Sequence, residues 1–256
     1  MRPPIGFDRD IKLEWLDAVA TQVSAGRSVQ EVRASIHKML GGVLATGKPG
    51  AALAKTTTVL LHIWSQVPDN ALALRDRIAP VISDLSPQER LAAHWSMCLA
   101  TYPFFLDVAA NVGRLMSLQG EVSLASLRRR LAERWGDRSL MPQATRKVVR
   151  SMVAWEVLRD IKPGQYTHRD GLLPVGQRAC TFLIEAILVG SGQKSMPIPD
   201  IERHPALFPF RTATSSSLLR TAKQFSVHRQ GVDMDIVELS QSEPSLRHAT
   251  GRAVET

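Results

Sequence analysis

The spacing of apolar residues predicts helices through most of the first two thirds of the chain. Ile11, Trp15, Val19 and Val23 recur at helical intervals, and Asp8 or Asp10 is placed to cap a helix running to about Ser24. Ala25 and Gly26 end it. Ser28 and Glu31 have the spacing of a capping box, in which hydroxyl and carboxylate satisfy each other's backbone N–H. The helix they open turns Val29, Val32, Ile36 and Leu40 inward until Gly41 and Gly42. A third helix is predicted over 52–65, carrying Leu53, Leu60, Leu61 and Trp64. Pro68, Pro80 and Pro87 punctuate shorter helices. Ser86, Pro87 and Glu89 start another that reaches Tyr102, where Pro103 breaks it.

From Phe104 a helix continues to Leu118, and residues 119–122 form a short link or a small strand. Ser123 caps a helix over 124–135, with Leu124, Leu127, Leu131 and Trp135 on one stripe. After a turn at Gly136 and Asp137, a long helix is predicted from Pro142 to Leu158, burying Val148, Val149, Met152, Val153, Trp155 and Leu158. Ile161 to Tyr166 then has the pattern of a hairpin with Pro163 and Gly164 at its tip. Helix, helix, turn, helix and hairpin is the order of a winged helix-turn-helix.

The last third predicts a helix over 173–189 with Ala179, Leu183, Ala186 and Ile187 inward, a loop over 190–197, and an apolar turn over 205–210. A short helix over 215–224 and a hairpin over 225–239 follow; in the hairpin Phe225, Val227 and Arg229 alternate with Ser226 and His228. This helix and hairpin are either a second winged-helix-like unit or a unit that packs on the first. The expected architecture is mainly α. An N-terminal helical domain (1–102) precedes a central winged helix (103–170), a smaller α+β segment with a hairpin (171–240) and a polar, disordered tail (241–256).

Composition sharpens this. Aromatics are only 5% of the chain, which favours helices packed through aliphatic residues over a β-sandwich. Cys98 and Cys180 lack paired spacing, so neither a disulfide framework nor a zinc site is expected, and a reducing cytoplasm fits. The N-terminus has no apolar signal core. The apolar stretch 179–190 is interrupted by Glu185 and is shorter than the roughly 20 residues that span a bilayer.

Charge gives the chemistry. The formal net charge is +8, and the window Glu121 to Arg169 holds 11 Lys/Arg against 5 Asp/Glu, so six of the eight fall there. Residues 1–120 net +2 and residues 170–256 are neutral. A basic window on a winged helix points to nucleic acid. Gln143, Thr145, Arg146, Lys147 and Arg150 flank the apolar stripe of the candidate recognition helix. Arg side chains there can pair with guanine edges, and Gln143 can read adenine. The preceding helix adds Arg128, Arg129, Arg130 and Arg134, and the wing adds Lys162, His168 and Arg169. Three consecutive arginines on a helix fan around it, so some contact phosphate while others pair with Glu133 or Asp137. Neutralising about six phosphates gives a logarithmic salt slope near −5. The plainer alternative is a solvated basic face. Lys55, Thr56, Thr57 and Thr58 sit at the start of a helix, where hydroxyls cap or hold an anion. The turn from Arg229 to Asp233 is either a wing tip touching DNA or only a turn, and Asp233 and Asp235 read as a polar sheet face more than a metal site.

Searches for catalysis find nothing. The histidines are scattered, and no zinc-protease motif, phosphate loop or dinucleotide fingerprint is present. Gly190 to Ser195 lacks the first glycine of a phosphate loop. No enzyme activity, cofactor or metal is expected.

Three stretches carry a resemblance to a known family: the opening helical pair from Trp15 to Glu31, the Lys55–Thr58 start of the helix ending at Trp64, and the helical passage Leu91 to Asp160 with Tyr102 to Phe105 and Ala144 to Val149. Over roughly residues 10–175 the layout resembles the BrxA family of bacteriophage-exclusion (BREX) defence systems. The resemblance implies a non-catalytic, double-stranded DNA-binding subunit acting beside other defence subunits, with DNA contact carried onto Arg146, Lys147 and Arg150. The chain departs from it by continuing for about 80 residues past the wing, which adds a second partner or DNA surface. The rival expectations are a winged-helix transcriptional regulator, which predicts a dimer on a palindromic site, and a protein-binding scaffold. A homo-oligomer is compatible with each, and none involves a membrane.

Overall fold

Two capping boxes set the starts of helices in the N-terminal half. The structure, a computed structural model, describes residues 5–44, 50–169, 171–212, 216–230 and 234–240. Five helices come first: α1 (Leu13–Ser24), α2 (Val29–Leu40), α3 (Ala51–Trp64), α4 (Asp69–Ile78) and α5 (Pro87–Thr101). Ser28 accepts from the Glu31 N–H at 3.3 Å and donates its own N–H to Glu31 at 2.8 Å. Ser86 and Glu89 repeat the arrangement at the head of α5. Helix α1 is not capped by Asp8 or Asp10: it begins after Lys12 without a side-chain cap. Lys55 to Thr58 are not at a helix start either, because α3 begins at Ala51. Thr56 and Thr57 are buried and Thr58 donates to the Ala54 carbonyl at 3.0 Å, so this triplet neither caps nor faces an anion.

The next elements are α6 (Pro103–Gln119), β1 (Glu121–Ser123), α7 (Leu124–Trp135), α8 (Met141–Ala154), β2 (Leu158–Lys162) and β3 (Gln165–His168). Both β1 and β2 pair antiparallel with β3, giving the sheet order β1-β3-β2. This is the element order and strand pairing of a winged helix, with α8 in the recognition position. The hairpin tip is Pro163 and Gly164, the latter at φ +77°, where glycine carries no steric cost. Helix α8 stops at Ala154 rather than reaching Leu158. Glu156 adopts φ 60°, which reverses the chain and sends Leu158 into β2. No glycine marks that reversal in the sequence.

The C-terminal segment contains β4 (Leu173–Pro174), α9 (Gln177–Ser191), β5 (Ser195–Pro197), α10 (Ile198–Glu202), β6 (Phe210–Arg211), α11 (Ser216–Thr221), β7 (Phe225–Gln230) and β8 (Met234–Leu239). Residues 173 and 174, expected as helix, instead pair parallel with β6. The expected loop over 190–197 contains β5, which pairs with β8. Apart from the interposed β6, the order α9-β5-α10-α11-β7-β8, with sheet order β5-β8-β7, repeats the order and pairing of α6 to β3. Of the two expectations for this segment, a second winged-helix-like unit therefore matches the topology. The expected tail over 241–256, the turn residues 231–233 including Asp233, and Ser215 lie outside the described residues.

One hydrophobic cluster runs through all three segments, from Ile5 to Val237. Trp95 of α5 sits at the junction. Its ring meets Phe105 and Trp155 of the first unit and Phe208 and Phe210 of the second, and its indole N–H donates to the Ala206 carbonyl at 3.0 Å. Two glycines allow the closest approaches. A Cβ at Gly190 of α9 would lie 2.2 Å from the Leu99 carbonyl oxygen of α5, and one at Gly113 of α6 would lie 1.9 Å from that of Pro205. Glu185, which interrupts the apolar run in α9, is buried and pairs with Arg77 of α4, whose Nε donates at 2.9 Å. Burial pushes its carboxyl pKa up, while Arg77 opposes that rise.

Candidate nucleic-acid interface

Helix α8 is amphipathic, and its burial pattern sorts the expected contacts. Met141, Ala144, Thr145, Val148, Val149 and Met152 face inward, whereas Gln143, Arg146 and Arg150 are exposed on the opposite side. Three- and four-residue spacings put those three on one outer face. Arg150 shares Asp160 of β2 at 3.2 Å, with both side chains about half exposed. Arg146 has no ion-pair partner among the described residues. Beneath this face lies the buried Tyr166. Burial raises its pKa and Asp160 adds to the rise, while Arg150, Arg146 and Arg128 oppose it. All three guanidinium groups lie within electrostatic reach of that phenol. Lys162 is exposed beside the wing tip.

Several expected contacts are placed elsewhere. Thr145 is fully buried and donates to the Met141 carbonyl at 2.8 Å, so it offers nothing to a ligand. Lys147 lies on a different side of α8, where it holds Asp10 at 2.6 Å with only 23% of its side chain exposed. The same flank carries Ser151, which accepts from the Ile11 N–H at 2.9 Å, and Trp155, whose indole donates to the Ile11 carbonyl at 2.8 Å. Residues 9–11 thus run along positions 147, 151 and 155. Lys147 belongs to that internal seam and not to the outer face.

The arginines of α7 divide. Arg128 donates to the Pro142 carbonyl at 3.2 Å and so ties α7 to the start of α8. Arg129 is exposed. Arg130 is exposed toward α6, and Arg134 pairs with Asp107 of α6 at 2.6 Å. Asp107 also accepts from the Trp135 indole at 2.7 Å, and burial is the largest influence raising its pKa. Arg169 stands at the base of the hairpin, away from the tip, and pairs with Glu156 at 2.7 Å. His168 packs at 5.5 Å from the Phe208 ring, and burial lowers its pKa.

The outer patch therefore keeps Gln143, Arg146, Arg150 and Lys162, with Arg129 on the adjoining helix. Arg159 in β2 is an exposed cation that sequence reasoning passed over. Strand alternation places it opposite Leu158, a signal that was present in the sequence.

Other chemistry is sparse. Among the described residues no group of three or more His, Cys, Asp or Glu side chains is arranged to hold a metal ion. Cys98 and Cys180 are both buried, and burial pushes the Cys98 thiol well up. Buried His94 accepts from the Trp64 indole at 3.2 Å through Nδ1, leaving Nε2–H to donate to Asp17 at 3.0 Å. Both ring nitrogens are thus engaged. Among the described residues no helix is long and apolar enough to cross a membrane. No protein-family model, curated protein or solved structure matches the chain.

Proposed function

We propose that the protein binds double-stranded DNA through the outer face of α8, with Arg146 and Arg150 reaching base edges or phosphates, Gln143 reading a base, and Lys162 on the wing and Arg129 on α7 gripping the backbone. The observation that carries this reading is the sorting of α8. Its apolar side is packed, its second flank is met by residues 9–11, and the side left open presents Gln143, Arg146 and Arg150. A helix whose open side is cationic, with a hairpin alongside, has the shape and charge to enter a major groove. No bond-making step is assigned to this surface. The layout resemblance to BrxA proteins supports a role as one subunit of an anti-phage defence assembly. The topological repeat in the C-terminal segment supplies a second, charge-neutral unit for contacts with such subunits.

Replacing Arg146 and Arg150 together with Ala is expected to weaken binding to a duplex in a low-salt mobility shift, by about tenfold or more. Unchanged affinity would remove α8 from the interface. Co-purification of the wild-type chain with other subunits after nuclease treatment, with no duplex shift, would favour the scaffold reading instead.

A further inference from the structure

A second cationic site lies between the two winged-helix-like units. A cleft of about 600 Å³ is walled by α6 and α7 on one side and by residues 202–210 on the other. Arg114, Arg130 and Arg203 line it, all exposed. None of them has a carboxylate within ion-pairing distance among the described residues. The carboxylate on the rim, Glu202, also forms no ion pair there, and nearby Asp107 is committed to Arg134 and Trp135. The cleft thus gathers three guanidinium groups that form no ion pair, with Glu202 on its rim and the Asp107 charge felt by Arg114. Burial, with a further contribution from Arg114, holds the His204 pKa down to about 4, so that ring is neutral. Its Nδ1 accepts from the Ala206 N–H at 3.3 Å, which leaves Nε2–H as its remaining donor.

The rest of the cleft is apolar. Leu118 and Leu172 line it at 74% and 44% exposure, and Phe208 lies deeper, half-buried. Exposed leucines beside unpaired arginines suit a ligand that is anionic at one end and flat and apolar at the other. Cavities of roughly 300–1,000 Å³ hold ligands of this size. Guanidinium groups bind phosphate oxygens in pairs, and an aromatic floor accepts a base.

We propose that this cleft binds a nucleoside phosphate, with its phosphates on Arg114, Arg130 and Arg203 and its base against Phe208 and Leu118. The bound nucleotide bridges the two units. The site is separate from the α8 face and does not depend on DNA binding.

The test is calorimetric titration of the full chain with ADP, pyrophosphate and adenosine, in the absence of DNA. ADP is expected to bind, with pyrophosphate and adenosine each weaker by about tenfold or more, because each lacks one half of the ligand. The double substitution Arg114→Ala and Arg203→Ala is expected to weaken ADP by about tenfold or more while leaving thermal unfolding and duplex binding unchanged. No ADP binding, equal binding by the double variant, or pyrophosphate binding as tightly as ADP would each overturn the proposal. If ADP binds but duplex affinity ignores Arg146 and Arg150, the DNA reading falls and this one stands.

Discussion

Arg146 and Lys147 are adjacent in sequence, yet the structure gives them unrelated jobs, and a salt titration separates them. The outer face offers about three cations that can each displace a counterion: Arg146, Lys162, and one shared between Arg129 and Arg150, since Arg150 also serves Asp160. At about −0.9 per phosphate, the logarithmic salt slope is then about −2.7. Affinity should fall about 40-fold between roughly 50 and 200 mM salt, against well over a thousandfold if six cations took part. Arg146→Ala removes one contact, so the slope should become about −1.8 and the loss over that range about 12-fold. Lys147→Ala should leave the slope unchanged. It breaks the 2.6 Å pair with Asp10, whose partners are partly exposed, so it should cost about 0.5–1 kcal/mol of stability. Asp10→Ala should cost a similar amount, and the double substitution little more than either alone. Fluorescence anisotropy on a labelled duplex reads the slopes, and urea unfolding reads the stabilities. Equal loss of salt dependence from Arg146→Ala and Lys147→Ala would refute the division of α8 into an outer face and an internal seam.

Trp95→Ala should destabilise by about 3–5 kcal/mol in urea unfolding, because the indole is the common neighbour of all three segments. It should also split or broaden the transition. A loss below about 1 kcal/mol would mean the segments do not share that core. Acid should destabilise through the histidines. Burial holds His94 and His168 below their ordinary value of 6.5 and, with Arg114, holds His204 at about 4. A depressed histidine favours the fold above its unfolded pKa, and that advantage is lost as pH falls from 6.5 toward the folded value. Asp17, lowered chiefly by its hydrogen bond from His94, adds loss at still lower pH, whereas Asp107 and Glu185, raised by burial, act in the opposite direction. Unfolding midpoints in urea should therefore drop between pH 6.5 and about 4, and His204→Gln should shrink that drop. An unaltered drop in the variant would contradict the assignment of a buried neutral ring.

The helices of the first half were legible because local chemistry marks them. Ser28 with Glu31 and Ser86 with Glu89 announce helix starts, and Leu127, Leu131 and Trp135 keep one phase through α7. The hairpin tip at Pro163 and Gly164 was legible for the same reason. What escaped was set by contacts distant in sequence. Lys147 reaches Asp10 across 137 positions, and no local pattern separates it from Arg146. The strands β4, β5 and β6 are two or three residues long and exist only by pairing with partners far along the chain. Thr145 is a different case. It shares the helical phase of Met141, Val148 and Met152, so its burial was implied by the stripe already identified. The cleft cations Arg114 and Arg203 lie 89 positions apart and meet only because Gly113 lets α6 approach Pro205.

The outer face of α8 as the DNA surface is tested most directly by site-specific photo-crosslinking. A crosslinking side chain replaces Gln143 on α8 in one variant and exposed Arg33 on α2 in another. With a duplex at low salt, the account predicts a protein–DNA adduct from position 143 and none from position 33, with the adduct suppressed by Arg146→Ala and Arg150→Ala. No adduct from position 143, or equal adducts from both positions, would contradict it.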